Sequence, residues 1–260
     1  MAEAELLYEV AGATGWVTLN RPEARNALTF AMYERIGEIC AGVALGGSLR
    51  ALVIMGAGEK AFAAGTDMTQ FRAFATPEDA HAYETRLERV FETIERCPVP
   101  TIAAIAGACT GGGAGIAAAC DIRIATADLR FGFPIARTLG NCLSVASLAR
   151  LAALIGAGRV AELVLTARLL GAEEARAAGL VSEVVANREA LMARAAELAG
   201  LVGGHAPLTL AATKEGLRRL RTEGAAADDR DIIERVYMSN DFREGLEAFL
   251  AKRQAKWTGK

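Results

Sequence analysis

The stretch Thr101–Asp121, TIAAIAGACTGGGAGIAAACD, constrains this chain more than any other. Behind Pro100 an apolar, partly β-branched run reads as a buried strand. The chain then turns through Gly111, Gly112 and Gly113 and enters a small-residue run, Ala114 to Ala119, suited to a tightly packed helix. A strand, then glycines, then a helix start is a physical device. Free N–H groups at the head of a helix favour negative charge, and glycine lets a ligand approach the main chain. The same glycines also suit close helix–sheet packing, and the stretch alone leaves both readings open.

Other motifs fit less well. Gly113–Ala118 matches the loose dinucleotide pattern GxGxxA, but the acid expected about 20 residues on is missing, Asp121 coming too early. No Lys-Ser/Thr follows the glycines, so a phosphate-binding P-loop is excluded. Neither His81 nor His205 has a partner motif for nucleophilic catalysis. The five cysteines (Cys40, Cys97, Cys109, Cys120, Cys142) form no CxxC pair, which argues against a disulfide framework and a structural metal site.

The chain has 260 residues, enough for one α/β unit with an appendage, and a formal net charge of −2, which gives no reason to expect nucleic acid. No apolar run approaches the roughly 18 residues of a membrane span, and MAEAELLYEV carries acids where a secretion signal carries bases. A cytoplasmic protein is expected. Strands are predicted at Gly15–Asn20, Ala51–Met55 and Asp121–Ala125, and helices at Asn26–Gly42 and Pro77–Arg96. In the second helix Ala80, Tyr83, Leu87, Val90, Phe91 and Ile94 share one face. Beyond Ala125 the pattern is mostly helical, and from Pro207 onward only helical. Leu208, Leu210, Leu217, Ile232, Ile233, Val236, Tyr237, Leu246, Phe249 and Leu250 should there pack on the body or on a neighbouring subunit.

The segments NRPEARNALT (Asn20–Thr29), KAFAAGTDM (Lys60–Met68), Pro98–Ala125, GAEEARAAGLVSEVV (Gly171–Val185) and DFREGLEAFLAKR (Asp241–Arg253) resemble, in order and spacing, the enoyl-CoA hydratase/isomerase (crotonase) superfamily. The resemblance implies an α/β crotonase (ClpP-like) spiral of ββα units over residues 1–203 and a helical trimerisation region over 204–260. It also implies an acyl-CoA substrate, no cofactor beyond the coenzyme A moiety of that substrate, and a homotrimer or dimer of trimers. Thr66 and Gly112 match the two backbone N–H donors of the family's oxyanion hole. Arg25, Ala64, Phe249 and Lys252 match coenzyme A contacts, the last two reaching a neighbouring subunit's ligand.

The departure from the family is as informative as the match. Hydratases of the family use two glutamates, and the matching positions here hold Gly115 and Ile135, which transfer no protons. Between Gly111 and Arg137 the acids are Asp121 and Asp128. Arg137, Asn141 and Cys142 are candidates for the acyl pocket, and glycine at 115 leaves volume for a bulkier acyl group. An acyl-CoA enzyme working through an enolate is the leading reading, with ordinary hydration doubtful. A non-catalytic acyl-CoA binder is the alternative, and a nicotinamide-dependent oxidoreductase a remote one.

Overall fold

A computed structural model describes residues 4–260. The chain opens with the hairpin β1 (Leu6–Ala11) and β2 (Thr14–Leu19), followed by helix α1 (Phe30–Ala41). Three sheet-to-sheet steps follow: β3 (Ala51–Gly56), β4 (Ala61–Ala63) and α2 (Pro77–Glu95); β5 (Thr101–Ile105), β6 (Ala108–Thr110) and α3 (Gly112–Ala119); β7 (Ile122–Thr126), β8 (Arg130–Gly132) and α4 (Ile135–Thr138). Helices α5 (Val145–Ile155) and α6 (Ala157–Thr166), strand β9 (Leu170–Gly171), helix α7 (Ala172–Ala177), strand β10 (Glu183–Val185) and helix α8 (Arg188–Gly203) complete the body. The C-terminal region consists of α9 (Pro207–Glu223), α10 (Arg230–Tyr237) and α11 (Asn240–Leu250).

The strands sort into a six-stranded sheet, β1-β2-β3-β5-β7-β10, and a four-stranded sheet, β4-β6-β8-β9. Each step lays one strand on the large sheet, one on the small sheet, and then a helix, so the chain advances as a spiral of ββα turns. One face of the large sheet packs on α8 through Val53, Ile102, Ile124, Leu191 and Ala195. Its other face shares a core with α1, α2 and α3. Because both faces are covered, β3 is buried along its whole length and reads as a continuous apolar run.

Three sequence expectations need correction. The apolar run from Thr101 is two strands, not one, with a corner at Gly107, where φ is +64°. A Cβ there would collide with the carbonyl of Lys60, so glycine alone lets the chain step between sheets. Helix α1 starts at Phe30, capped by Thr29 Oγ1 accepting from the Met32 N–H at 3.3 Å, and not at Asn26. Arg25 and Asn26 have φ of 52° and 55°, which no helix accommodates. Finally, β8, β9 and β10 interrupt the stretch expected to be helical.

Helix α2 spans Pro77–Glu95 and buries Tyr83, Leu87, Val90, Phe91 and Ile94, while Ala80 is exposed. Asp121 is structural: its carboxylate accepts from the Thr101 N–H at 2.7 Å and Oγ1 at 2.9 Å, and pairs with Lys214 of α9. Helix α8 ends at Gly203, and a turn at Gly204 leads on toward α9. Of the C-terminal apolar residues, Leu208 and Ile232 are buried against the chain, whereas Leu217, Ile233, Tyr237, Leu246, Phe249 and Leu250 are exposed. Among the described residues no helix is long and apolar enough to cross a membrane.

Asn26 is fully buried and ties two loops together. Its Nδ2 donates to the carbonyls of Ala57 (2.9 Å) and Ala61 (2.8 Å), and its Oδ1 accepts from the Arg21 N–H at 3.0 Å. Asn26→Ala leaves these groups without partners and should cost about 3 kcal/mol in urea unfolding. A loss below about 1 kcal/mol would mean that other contacts anchor this segment.

Candidate active site

Two of the segments singled out in the sequence line one cavity, and a third, Asn20–Thr29, braces its lip. Arg21 Nη1 donates to Asp67 Oδ2 at 2.9 Å, the Ala64 N–H donates to the Arg25 carbonyl at 3.0 Å, and Leu28 and Thr66 pair as a parallel bridge. In that bridge the Leu28 N–H donates to the Gly65 carbonyl and the Asp67 N–H to the Leu28 carbonyl, both at 2.8 Å. Extended chain alternates its hydrogen-bonding direction, so the Thr66 N–H faces away from Leu28, toward the cavity.

The segment Pro98–Ala125 supplies the head of α3. The first bond inside this helix runs from the Gly115 N–H to the Gly111 carbonyl at 3.0 Å, which leaves the N–H groups of the preceding residues outside the helical ladder. The N–H groups of Thr66 and Gly112 have no acceptor among the described residues, and both residues line the cavity. They are brought close by tight packing. A Cβ on Gly112 would strike the Tyr33 hydroxyl and lie 3.1 Å from Thr66 Oγ1. One on Gly113 would lie 2.5 Å from the Ala63 carbonyl oxygen. The glycines therefore serve close packing and leave the helix head open together.

The cavity measures about 300 Å³ and is mainly apolar, walled by Met68, Phe71, Leu87, Phe91, Phe133, Ile135, Leu139 and Leu143. Thr66 Oγ1 hydrogen-bonds the hydroxyls of Tyr33 and Tyr83, each at 2.9 Å. Burial pushes Tyr83 up to about 12 and Tyr33 well beyond the ordinary tyrosine range. Both phenols are therefore neutral hydrogen-bonding groups that fix the Thr66 side chain. Among the described residues the cavity wall contains no lysine, arginine or histidine, and Glu84 of α2 is its one carboxylate.

The expected site residues divide clearly. Thr66, Gly112, Gly115, Ile135, Asn141, Cys142 and Ala64 line the cavity. Arg137 does not: it lies on the exposed side of the short helix α4, so the expectation that it faces the acyl pocket is not met. Arg25 is exposed, and only its backbone touches the cavity lip, at Ala64. Phe249 and Lys252 lie elsewhere in this chain, Phe249 being 81% exposed beside a groove formed with Leu246 and Trp257.

The volume expected above Gly115 is taken. A Cβ at 115 would lie 2.9 Å from Phe91 Cε2 and closer still to Cζ, so the phenyl ring of α2 occupies the space a larger residue would need. Sequence reasoning also passed over Glu84. The signal was present, since Glu84 stands four residues after Ala80 and three before Leu87, on the edge of the apolar stripe of α2.

The enoyl-CoA hydratase/isomerase family model matches residues 9–260. The chain belongs to the enoyl-CoA hydratase/isomerase family. It is 32% identical over 252 residues to the short-chain-enoyl-CoA hydratase of Clostridium acetobutylicum, covering 96% of this chain and 95% of that protein. It is 38% identical over 170 residues to the mitochondrial Delta(3,5)-Delta(2,4)-dienoyl-CoA isomerase of Rattus norvegicus, covering 61% of this chain and 51% of that protein. The crystal structure of an enoyl-CoA hydratase/carnithine racemase from Magnetospirillum magneticum superposes with a TM-score of 0.88 at 33% identity, covering 100% of this chain and 97% of that one. The spiral and both sheets are thus those of the crotonase fold.

Packing at residue 115 is testable by a double-mutant cycle. Gly115→Ala should cost about 1–3 kcal/mol in wild type and at least about 1 kcal/mol less in a Phe91→Leu background. Strict additivity of the two changes in urea unfolding would show that Phe91 does not fill this space.

Proposed function

We propose that the chain is an enzyme that binds an acyl-CoA thioester and stabilises its enolate oxygen between the N–H groups of Thr66 and Gly112. One observation carries this reading: among the described residues both N–H groups lack acceptors, and both border the same apolar cavity, one of them at the head of α3. An oxyanion between them gains two hydrogen bonds and the favourable end of the helix dipole, and one such donor contributes on the order of 3 kcal/mol in a transition state.

The thioester orientation follows from the lip. Ala64 uses its N–H on Arg25, which leaves its carbonyl for an adenine amino group, and the exposed Arg25 guanidinium is available to the phosphates. The acyl chain then runs inward past Thr66 and Gly112 among Phe91, Phe133 and Ile135. Coenzyme A enters as part of the substrate, and no further cofactor belongs to the reading. The cysteines are free thiols, in keeping with a cytoplasmic setting.

Ordinary hydration does not fit this wall. Gly115 and Ile135 stand where hydratases carry their glutamates, and Asp121 and Asp128 are engaged elsewhere, with Thr101 and Lys214 and with Thr126. A second reading, an acyl-CoA binder without turnover, is favoured by the same replacements.

A homotrimer, alone or paired into a hexamer, completes the proposal, because the exposed apolar residues of α10 and α11 need a cover. Phe249 and Lys252 would then meet the ligand of a neighbouring subunit. Light scattering should return three or six chains at micromolar concentration, and a clean monomer would refute the assembly.

Crotonyl-CoA should raise the melting temperature in a concentration-dependent way, whereas NAD should not. Hydration of crotonyl-CoA should be at least about 10²-fold slower than in a glutamate-bearing family member, since each general acid–base group typically contributes 10²–10⁴-fold. Stabilisation by NAD alone would favour the oxidoreductase instead. Hydration at ordinary enzyme rates would overturn the argument from the missing carboxylates.

A further inference from the structure

The three glutamates that follow Glu84 on α2 are all occupied by arginines. Glu88 pairs with Arg150, Glu92 with Arg96 at 2.8 Å, and Glu95 with Arg150 at 2.8 Å and Arg221 at 2.7 Å. Glu84 has neither an ion pair nor a hydrogen bond among the described residues, yet it is half-buried in the cavity wall. A carboxylate in such a place costs stability and is retained against that cost. Its neighbour Tyr83 holds Thr66 Oγ1 at 2.9 Å, while Phe91, two helical turns or about 10 Å further along α2, seals the space over Gly115. Among the described residues, the one acid of the cavity therefore stands on the α2 wall, toward Thr66, and not on α3.

We propose that Glu84 is the proton-transfer group of this site, and that its substrate class is a β,γ-unsaturated acyl-CoA converted to the α,β-unsaturated isomer. This rests on the acyl-CoA reading above. The Glu84 carboxylate takes a proton from the α-carbon, and the C–H electron pair moves into the thioester to give a dienolate whose oxygen lies between the Thr66 and Gly112 N–H groups. The protonated Glu84 carboxyl, open to exchange with solvent, then delivers a proton to the γ-carbon of the dienolate, the double bond moves one position, and the carboxylate is regenerated. No water, metal or redox partner is consumed. A single carboxylate in an apolar wall suffices for this transfer, whereas hydration must also position a water.

The surroundings suit the role. Burial and the nearby charge of Glu88 hold the Glu84 carboxyl above the usual carboxylate range, which favours a group that both accepts and returns a proton. The other ionisable groups close to it are Tyr83 on its own helix, Tyr33 on α1 and Cys142 of the loop after α4, and both tyrosines are neutral. Arg150 of α5 is taken up by Glu88 and Glu95, and Arg86 of α2 pairs with Glu34.

The test uses trans-3-hexenoyl-CoA with the full-length protein in D2O, following isomerisation and deuterium uptake by NMR. Wild type should isomerise it, Glu84→Gln should lose at least about 100-fold in kcat with Kd unchanged within threefold, and Glu84→Asp should regain part of the rate. The acid limb of the kcat/KM pH profile should vanish in Glu84→Gln, and its melting temperature at pH 8 should hold or rise, because an unpaired buried charge is removed. A merely structural residue would lower the melting temperature and leave that limb in place. If wild type binds the probe without isomerisation or deuterium uptake, or if Glu84→Gln keeps the wild-type rate, the assignment of Glu84 is overturned while acyl-CoA binding stands. If wild type does not bind the probe, the acyl-CoA reading itself falls.

Discussion

The contact of the α3 head with its surroundings is the constraint on which the rest of the site depends. Gly111 has φ +52° and ψ −122°, and the Cβ it lacks would lie 3.3 Å from the Cα of Gly65. Gly112 meets Tyr33, Gly113 meets Ala63 and Gly115 meets Phe91, so each glycine admits a different neighbour. The chain must arrive at this point from β6 on the small sheet, and the step between sheets is made at Gly107. Moving the helix outward by the width of a methyl group would separate Gly112 from Thr66. The orientation of two backbone N–H groups is thus fixed by core packing, and no side chain is needed to supply the donors.

The lip is built with equal economy of parts. Asn26 holds the Arg21–Asn26 turn against Ala57 and Ala61, Arg21 reaches Asp67, and the Leu28–Thr66 bridge turns one N–H into the cavity. Two backbone residues at positive φ, Arg25 and Asn26, are the strained part of this turn. Such strain persists only where surrounding contacts over-determine it, and here three hydrogen bonds to the Asn26 side chain do so.

Much of this was legible in the sequence, for reasons that differ by element. Helix α2 declared itself through a nineteen-residue amphipathic pattern behind a Thr76–Asp79 capping box. The proposed oxyanion pair is suggested in the sequence only through motif order, since a backbone donor leaves no side-chain signature. The corner at Gly107 was hidden because both strands it joins are short and apolar, and β8, β9 and β10, of three, two and three residues, fall below any periodic signal. The filling of residue 115 by Phe91 is a tertiary contact between helices 24 positions apart in sequence, which no local pattern records.

Phe91 and Glu84 together would let one fold carry the proposed proton-transfer arrangement without rebuilding the proposed oxyanion hole. The residues that orient the N–H groups lie on β6, α3 and the Leu28–Thr66 bridge, whereas Glu84 and Phe91 lie on α2. Helix α2 faces α3 across the cavity and is held independently by the Arg150 network with Glu88 and Glu95. Replacing the α3 carboxylate by glycine would leave a void, and voids in a packed wall cost about 24 cal/mol per Å³. A phenyl ring from α2 fills this one. The same helix presents a carboxylate two turns away, on the side of Tyr83, so one rigid element both fills the space beside Gly115 and, on the proposed reading, would supply the acid. Because the proposed donors are backbone groups held mainly by the glycine contacts with Tyr33 and Ala63, a proton-transfer group on the α2 wall would leave them in place.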